Sequence, residues 1–178
     1  MGSGWKPETE ITAADLGGIG ELPCSGVPDL AINPTIAARL VAATGIILSP
    51  TDGTPRGIKE ILVTGEPDRL ARDLEAVIGA ATDNCIGKDL VTKDNEKIRM
   101  EVLALDGFGD QRSAITVMVG EPPDYQSTWR GYQAIVRVGS VAIMISAFEV
   151  MGTPDAKPVM DAAGFVRLVE QAVSKLSR

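Results

Sequence analysis

Residues 132–150 read YQAIVRVGSVAIMISAFEV, a run about as long as a membrane span in a chain that otherwise reads as soluble. A transmembrane helix needs roughly 20 largely apolar residues, but Arg137 falls in the first third of this run and Gly139-Ser140 interrupts its middle. Charge and turn residues together argue against a span. Val, Ile and aromatic residues dominate both halves, which favours extended chain, and Gly-Ser between two such runs is a two-residue hairpin signal. The reading is two antiparallel strands, about 132–138 and 141–149. On the second, Val141, Ile143 and Ile145 share one face and Ala142, Met144, Ser146 and Phe148 the other. Both faces are mainly apolar, so this strand is expected at the centre of a sheet, covered on both sides.

The neighbouring segments fit around that hairpin. Residues 67–82 place Leu70, Leu74, Val77, Ile78 and Ala81 at helical spacing behind Pro67, which suits a first helical turn. Residues 160–176 repeat the pattern with Phe165, Leu168, Val169, Ala172, Val173 and Leu176, and Lys175 lies where the helix dipole favours a cation. KIRMEVLAL (97–105) and SAITVMV (113–119) read as paired strands across the loop Asp106–Asp110. Segments 38–48 and 57–63 flank SPTDGTP (49–55), a turn-rich connection consistent with a hairpin, while TIAARLVAATG (35–45) could equally begin as a helix. The order is β-β-α-β-β-β-β-α: an α+β fold, with an antiparallel sheet of about six strands and two long helices in a two-layer sandwich.

At 178 residues, with 44% hydrophobic composition, the chain is long enough for one domain with a substantial core. Residues 11–178 are expected to form it. Residues 1–10, opening MGSGW, read as an expression leader or flexible N-terminus, without the basic and apolar regions of a secretion signal. A net charge of −7 opposes phosphate backbones and anionic membrane surfaces, so no nucleic-acid partner is expected. Histidine is absent, which removes the usual general base and commonest metal ligand.

A ligand cleft combines apolar walls with a few polar groups, and the richest such mixture is YQSTWRGY (125–132). Aromatic residues are only 4% of the chain, so two Tyr and one Trp in this segment are a local enrichment. Tyr125, Trp129 and Tyr132 could stack on a ligand while Arg130 holds a carboxylate or phosphate. The competing reading has Trp129 and Tyr132 capping the sheet core beside a solvated Arg130. The loop Asp106-Gly107-Phe108-Gly109-Asp110 carries carboxylates and flexible glycines but lacks EF-hand spacing, and it reads as a strand connection. Arg137, on an apolar strand, is expected to reach the sheet edge or pair with Glu101 or Glu149. The glycines of GGIG (17–20) and GFG (107–109) do not join a strand to a helix as a nucleotide fingerprint requires. No metal site and no cofactor are expected.

Cys24 lies in LPCSGVP and Cys85 in TDNC, past the first helix. Without Cys-x-x-Cys or histidine, a zinc site is disfavoured. The residues themselves leave open a disulfide or two free thiols. A bridge would close a loop of about 60 residues and stabilise by roughly 4 kcal/mol on a chain-entropy basis.

Taken in order, ITAADL (11–16), Cys24, DLEAVIGAATDNC (73–85), LDGFGDQRSA (105–114), AIVRVGSVAIMIS (134–146) and the terminal amphipathic helix form a pattern. This pattern resembles the actinobacterial sensor-type lipoproteins related to the extracellular domain of the mycobacterial Ser/Thr kinase PknH, over roughly residues 11–178. The resemblance implies an antiparallel sheet packed with helices and bearing a cleft, export across the membrane, frequent lipid anchoring, and a binding or sensing role without established catalysis. By position it pairs Cys24 with Cys85. The kinase domain's further cysteines have no counterpart here, and neither a kinase segment nor a lipid-accepting cysteine is present. A second resemblance, to small PsbP-like or Mog1-like lipoproteins, implies similar layering.

The resulting expectation is an exported, non-catalytic sensor or ligand-binding domain that recognises a small molecule, an envelope component or a partner protein. Membrane contact would come only through a lipid anchor. The alternative is a cytosolic, cofactor-independent isomerase or cyclase that uses a carboxylate as acid and base on a small hydrophobic substrate.

Overall fold

A computed structural model describes residues 5–12, 42–51, 56–88, 90–91, 97–120, 129–150 and 160–176. The expected hairpin is its centre. Strands β7 (Trp129–Val138) and β8 (Val141–Val150) pair antiparallel across Gly139-Ser140, with Val138 opposite Val141. Gly139 has φ +59°, the left-handed conformation that a two-residue hairpin turn demands and glycine adopts without steric cost.

The other strands extend the hairpin in both directions. They are β1 (Trp5–Thr12), β2 (Ala42–Pro50), β3 (Arg56–Thr64), β4 (Leu90–Val91), β5 (Lys97–Val102) and β6 (Gln111–Gly120). Among the described residues they form one eight-stranded sheet in the order β1-β2-β3-β8-β7-β6-β5-β4, antiparallel throughout. Two helices accompany it, α1 (Pro67–Asn84) and α2 (Ala162–Leu176).

Three expectations need correction. The sheet has eight strands rather than about six, in the order β-β-β-α-β-β-β-β-β-α. β4 is two residues long and has no periodicity to detect. Residues 5–10, expected within a leader or flexible N-terminus, form β1 together with Ile11 and Thr12, through backbone pairing with β2. Pro7 is tolerated there because edge strands and bulges accept a missing donor, and the register of β1 shifts between Pro7 and Thr9.

The layering also differs. Phe165, Val169, Ala172 and Val173 of α2 pack with Ile143, Ile145 and Ala147 of β8, whereas Leu70 and Leu74 of α1 pack with Ala142 and Met144. Alternate residues of one strand point to opposite faces, so the helices lie on opposite sides of the sheet and the arrangement has three layers, not two. This is why β8 is apolar on both faces. A third cluster, Cys85 with Ile98, Met100, Ile115, Val117 and Val119, extends the α1 side toward β5.

Both helices begin at acidic caps. Glu66 accepts the backbone N–H of Arg69 at 2.9 Å and of Asp68 at 3.3 Å, immediately before Pro67. Asp161 accepts the N–H of Gly164 at 2.7 Å. Each carboxylate satisfies donors that a first helical turn leaves open. No helix among the described residues is long and apolar enough to cross a membrane.

Candidate functional site

At the end of the sheet where β3 and β7 begin and β8 finishes, three charged residues meet in cross-strand register. Arg56 on β3 stands opposite Glu149 on β8, which stands opposite Arg130 on β7. Directly opposed side chains in an antiparallel sheet are near neighbours, so two guanidiniums flank one carboxylate. The row continues through Met118 on β6 to Arg99 on β5, whose Nε is engaged by Glu101 Oε1 at 2.9 Å.

Tyr132, two positions beyond Arg130, shares its face. Its ring stacks on Phe165 of α2, with centroids 5.3 Å apart and planes 21° from parallel, and the Arg130 guanidinium lies 5.6 Å from the ring centroid. Tyr132 is thus clamped between the helix and a cation, at 3% exposure. Arg56, Arg130, Tyr132, Glu149, Ile58 and Met160 line a pocket with about 30 Å³ of room. That suffices for a water or one small polar group, since a water requires ≳ 10–15 Å³ on the same measure.

The polar atoms facing this space define what it can hold. Arg130 Nε and Tyr132 Oη are buried and have no hydrogen-bond partner among the described residues. An orphaned buried donor costs about 1–3 kcal/mol, so two of them at one pocket need an explanation. The phenol of Tyr132 is pushed above its ordinary pKa by burial; Arg130 opposes the rise, and Glu149 and Asp161 add to it. It therefore stays protonated and able to donate near neutral pH. With two guanidiniums and one carboxylate, the lining favours an acceptor of negative character on a chain whose net charge is −7.

A second concavity lies beside α1. Glu75, Ile78, Asp110 and Arg112 line an open groove of about 510 Å³. Three of its polar side chains, those of Asp110, Gln111 and Arg112, are already committed. Gln111 Nε2 donates to the Ala71 carbonyl at 3.0 Å, and Arg112 Nη1 donates to the Phe108 carbonyl at 3.3 Å. Asp110 accepts the Gly139 N–H at 2.8 Å and lies 3.4 Å from Arg137. Arg137 also donates to Gln111 Oε1 and to the Gly139 carbonyl, each at 2.8 Å.

Arg137 thus finds a carboxylate partner, as expected, in Asp110 rather than in Glu101 or Glu149. It sits opposite Ala142 next to the turn, whereas Glu149 lies seven residues farther along β8, roughly 23 Å at strand rise. Glu101 is taken by Arg99. The loop Asp106–Asp110 accordingly joins β5 to β6 and latches onto the hairpin turn. A Cβ on Gly109 (φ +56°) would run into the Arg137 carbonyl, which accounts for glycine there.

Of the ligand residues expected from YQSTWRGY, the structure brings Arg130 and Tyr132 together. Trp129 opens β7 opposite Val119 and Val150, and its side chain lies outside the described residues, as does Tyr125. The expectation missed Arg56, Glu149 and Met160. Counting outward from Gly139-Ser140 places Glu149 opposite Arg130, so one of these was accessible from the sequence. Cys85 is buried at 3% exposure, and no free thiol is found among the described residues; Cys24 lies outside them. No cluster of three or more acidic or sulfur ligands suited to a metal occurs among the described residues.

No family model and no curated protein matches the chain. Among solved structures it is similar to the extracellular domain of PknH from Mycobacterium tuberculosis, with a TM-score of 0.61 and 16% sequence identity. The fold is PknH-like. The match covers 97% of this chain and 86% of the other, so it spans the sheet and both helices rather than a shared hairpin. At that identity it is a likeness of architecture.

Proposed function

We propose that the chain is a non-catalytic sensor or ligand-binding domain acting outside the cytoplasm, with the pocket at the head of α2 as its recognition site. One observation carries the site: Arg130 Nε and Tyr132 Oη are both buried at the same pocket without a hydrogen-bond partner among the described residues. Sequence does not place such groups there for stability, since an apolar pair would cost less. Tyr125 and Trp129, from the same segment, serve in this reading as further aromatic contacts.

The extracytoplasmic role draws support from the fold, which is shared with a domain described as extracellular. It also includes a Cys24–Cys85 disulfide, with Cys85 held in the core cluster under β5 and β6, and a lipid anchor as the means of membrane attachment. The ligand is a small molecule, an envelope component or an exposed group on a partner protein.

The test is a thermal-shift screen of small metabolites and envelope fragments against the wild type and Arg130→Gln. The expected result is hits that stabilise the wild type and lose that effect in the variant, while both proteins melt alike without ligand. Hits that stabilise both equally would place recognition elsewhere.

A further inference from the structure

Resting on the reading of the α2 pocket as the ligand site, we propose that the group it receives is a carboxylate, with Tyr132 Oη and Arg130 Nε as the donors that hold it. Three independent features lead to this chemistry.

The first is hydrogen-bonding type. A guanidinium Nε–H can only donate, and a phenol facing an anion donates as well. Both are buried and lack acceptors among the described residues, so the missing partner is an acceptor with more than one lone pair directed at adjacent donors. A carboxylate offers two oxygens and about four lone-pair sites.

The second is charge. The pocket's own lining, Arg56, Arg130 and Glu149, carries one net positive charge, which matches a monoanion, while Asp161 acts on Tyr132 from outside that lining. A phosphate dianion would face Glu149 with charge to spare, and a cation would face two guanidiniums. Charge-assisted hydrogen bonds to a carboxylate are about twice as strong as neutral ones, which makes the ion a better occupant than a neutral amide of the same shape.

The third is size and wall chemistry. About 30 Å³ admits the planar head of a carboxylate more readily than a tetrahedral oxyanion with four oxygens. Ile58, Ala147 and Met160 supply apolar contacts around it, so the remainder of the ligand would leave the pocket along aliphatic surface. A trapped water is the competing occupant, and it would satisfy the same donors without any charge preference.

Ligand-observed NMR titrations at constant ionic strength separate these cases, with butyrate, butyramide, butylammonium and inorganic phosphate as probes. Tyr132→Phe keeps the ring on Phe165 and removes only the hydroxyl; Arg130→Gln removes the cation. Melting curves of both confirm that they fold. Saturable butyrate binding, at least tenfold tighter than butyramide or phosphate, weakened at least fivefold by Tyr132→Phe and lost in Arg130→Gln, is the expected result. Equal binding of butyrate and butyramide, still dependent on Tyr132, overturns the carboxylate while leaving the pocket as the ligand site. Tighter binding of phosphate does the same. Butyrate binding indifferent to both substitutions overturns the carboxylate inference and the site together, as does failure of every probe at molar excess.

Discussion

Tyr132 carries more of the account than any other side chain. It fills the core against Phe165, receives Arg130 on its ring, and keeps a hydroxyl with no partner among the described residues. Its pKa is raised above the ordinary 10.0, mainly by burial, and the consequence for stability has a definite sign. The unfolded chain releases the phenolic proton near pH 10, while the folded chain holds it to higher pH, so stability is full below that point and falls as pH rises through the folded value. Tyr132→Phe should therefore flatten the alkaline decline in melting temperature above pH 10 and leave the neutral-pH value within a few degrees. An unchanged alkaline decline would mean that Tyr132 titrates as a solvated phenol. That Tyr132 and Arg130 would meet at one pocket was suggested by the sequence, because aromatic residues are scarce and cluster there. Arg56 was not: it reaches the pocket through the β3–β8 pairing, and no local pattern encodes which distant strand lies alongside.

The elements divide by how strongly local sequence specifies them. The β7–β8 hairpin and both helices follow from periodicity and turn residues, because each has many apolar positions at one spacing and a definite cap or turn. Edge strands are different. β1 is held by pairing with β2 alone, and in its sequence WKPETEIT the proline and the register shift after it obscure the strand signal. Layering was half legible: a strand apolar on both faces signals cover on both sides, yet which helix takes which face depends on the chain path. α2 is the element that couples core to site, since Phe165 supports Tyr132 from below and is fully buried. Phe165→Ala should cost about 3–5 kcal/mol in denaturant unfolding, the usual range for removing a buried aromatic ring. It should also weaken any ligand bound at the pocket by loosening Tyr132. A loss under 1 kcal/mol would show that α2 does not anchor this face.

For the whole molecule, the sheet places two concavities on different parts of the surface, and they differ in kind. The groove beside α1 is larger, but its Asp110 and Gln111 are engaged in latching the β5–β6 loop to the hairpin. The pocket at the head of α2 is smaller and holds the donors that lack acceptors. Volume alone would choose the first; hydrogen-bond satisfaction chooses the second. The proposed extracytoplasmic life adds a separate expectation: protein never exposed to reductant should show no titratable thiol when denatured and two after reduction. Two thiols before reduction would remove the Cys24–Cys85 bridge from the account. Recognition at the α2 pocket is tested by mapping backbone amide shifts while a stabilising ligand is added. The largest changes are expected on Gly57, Arg130, Gly131, Tyr132, Ala147 and Met160. Changes centred instead on Glu75–Gly79 and Asp110–Arg112 would contradict it.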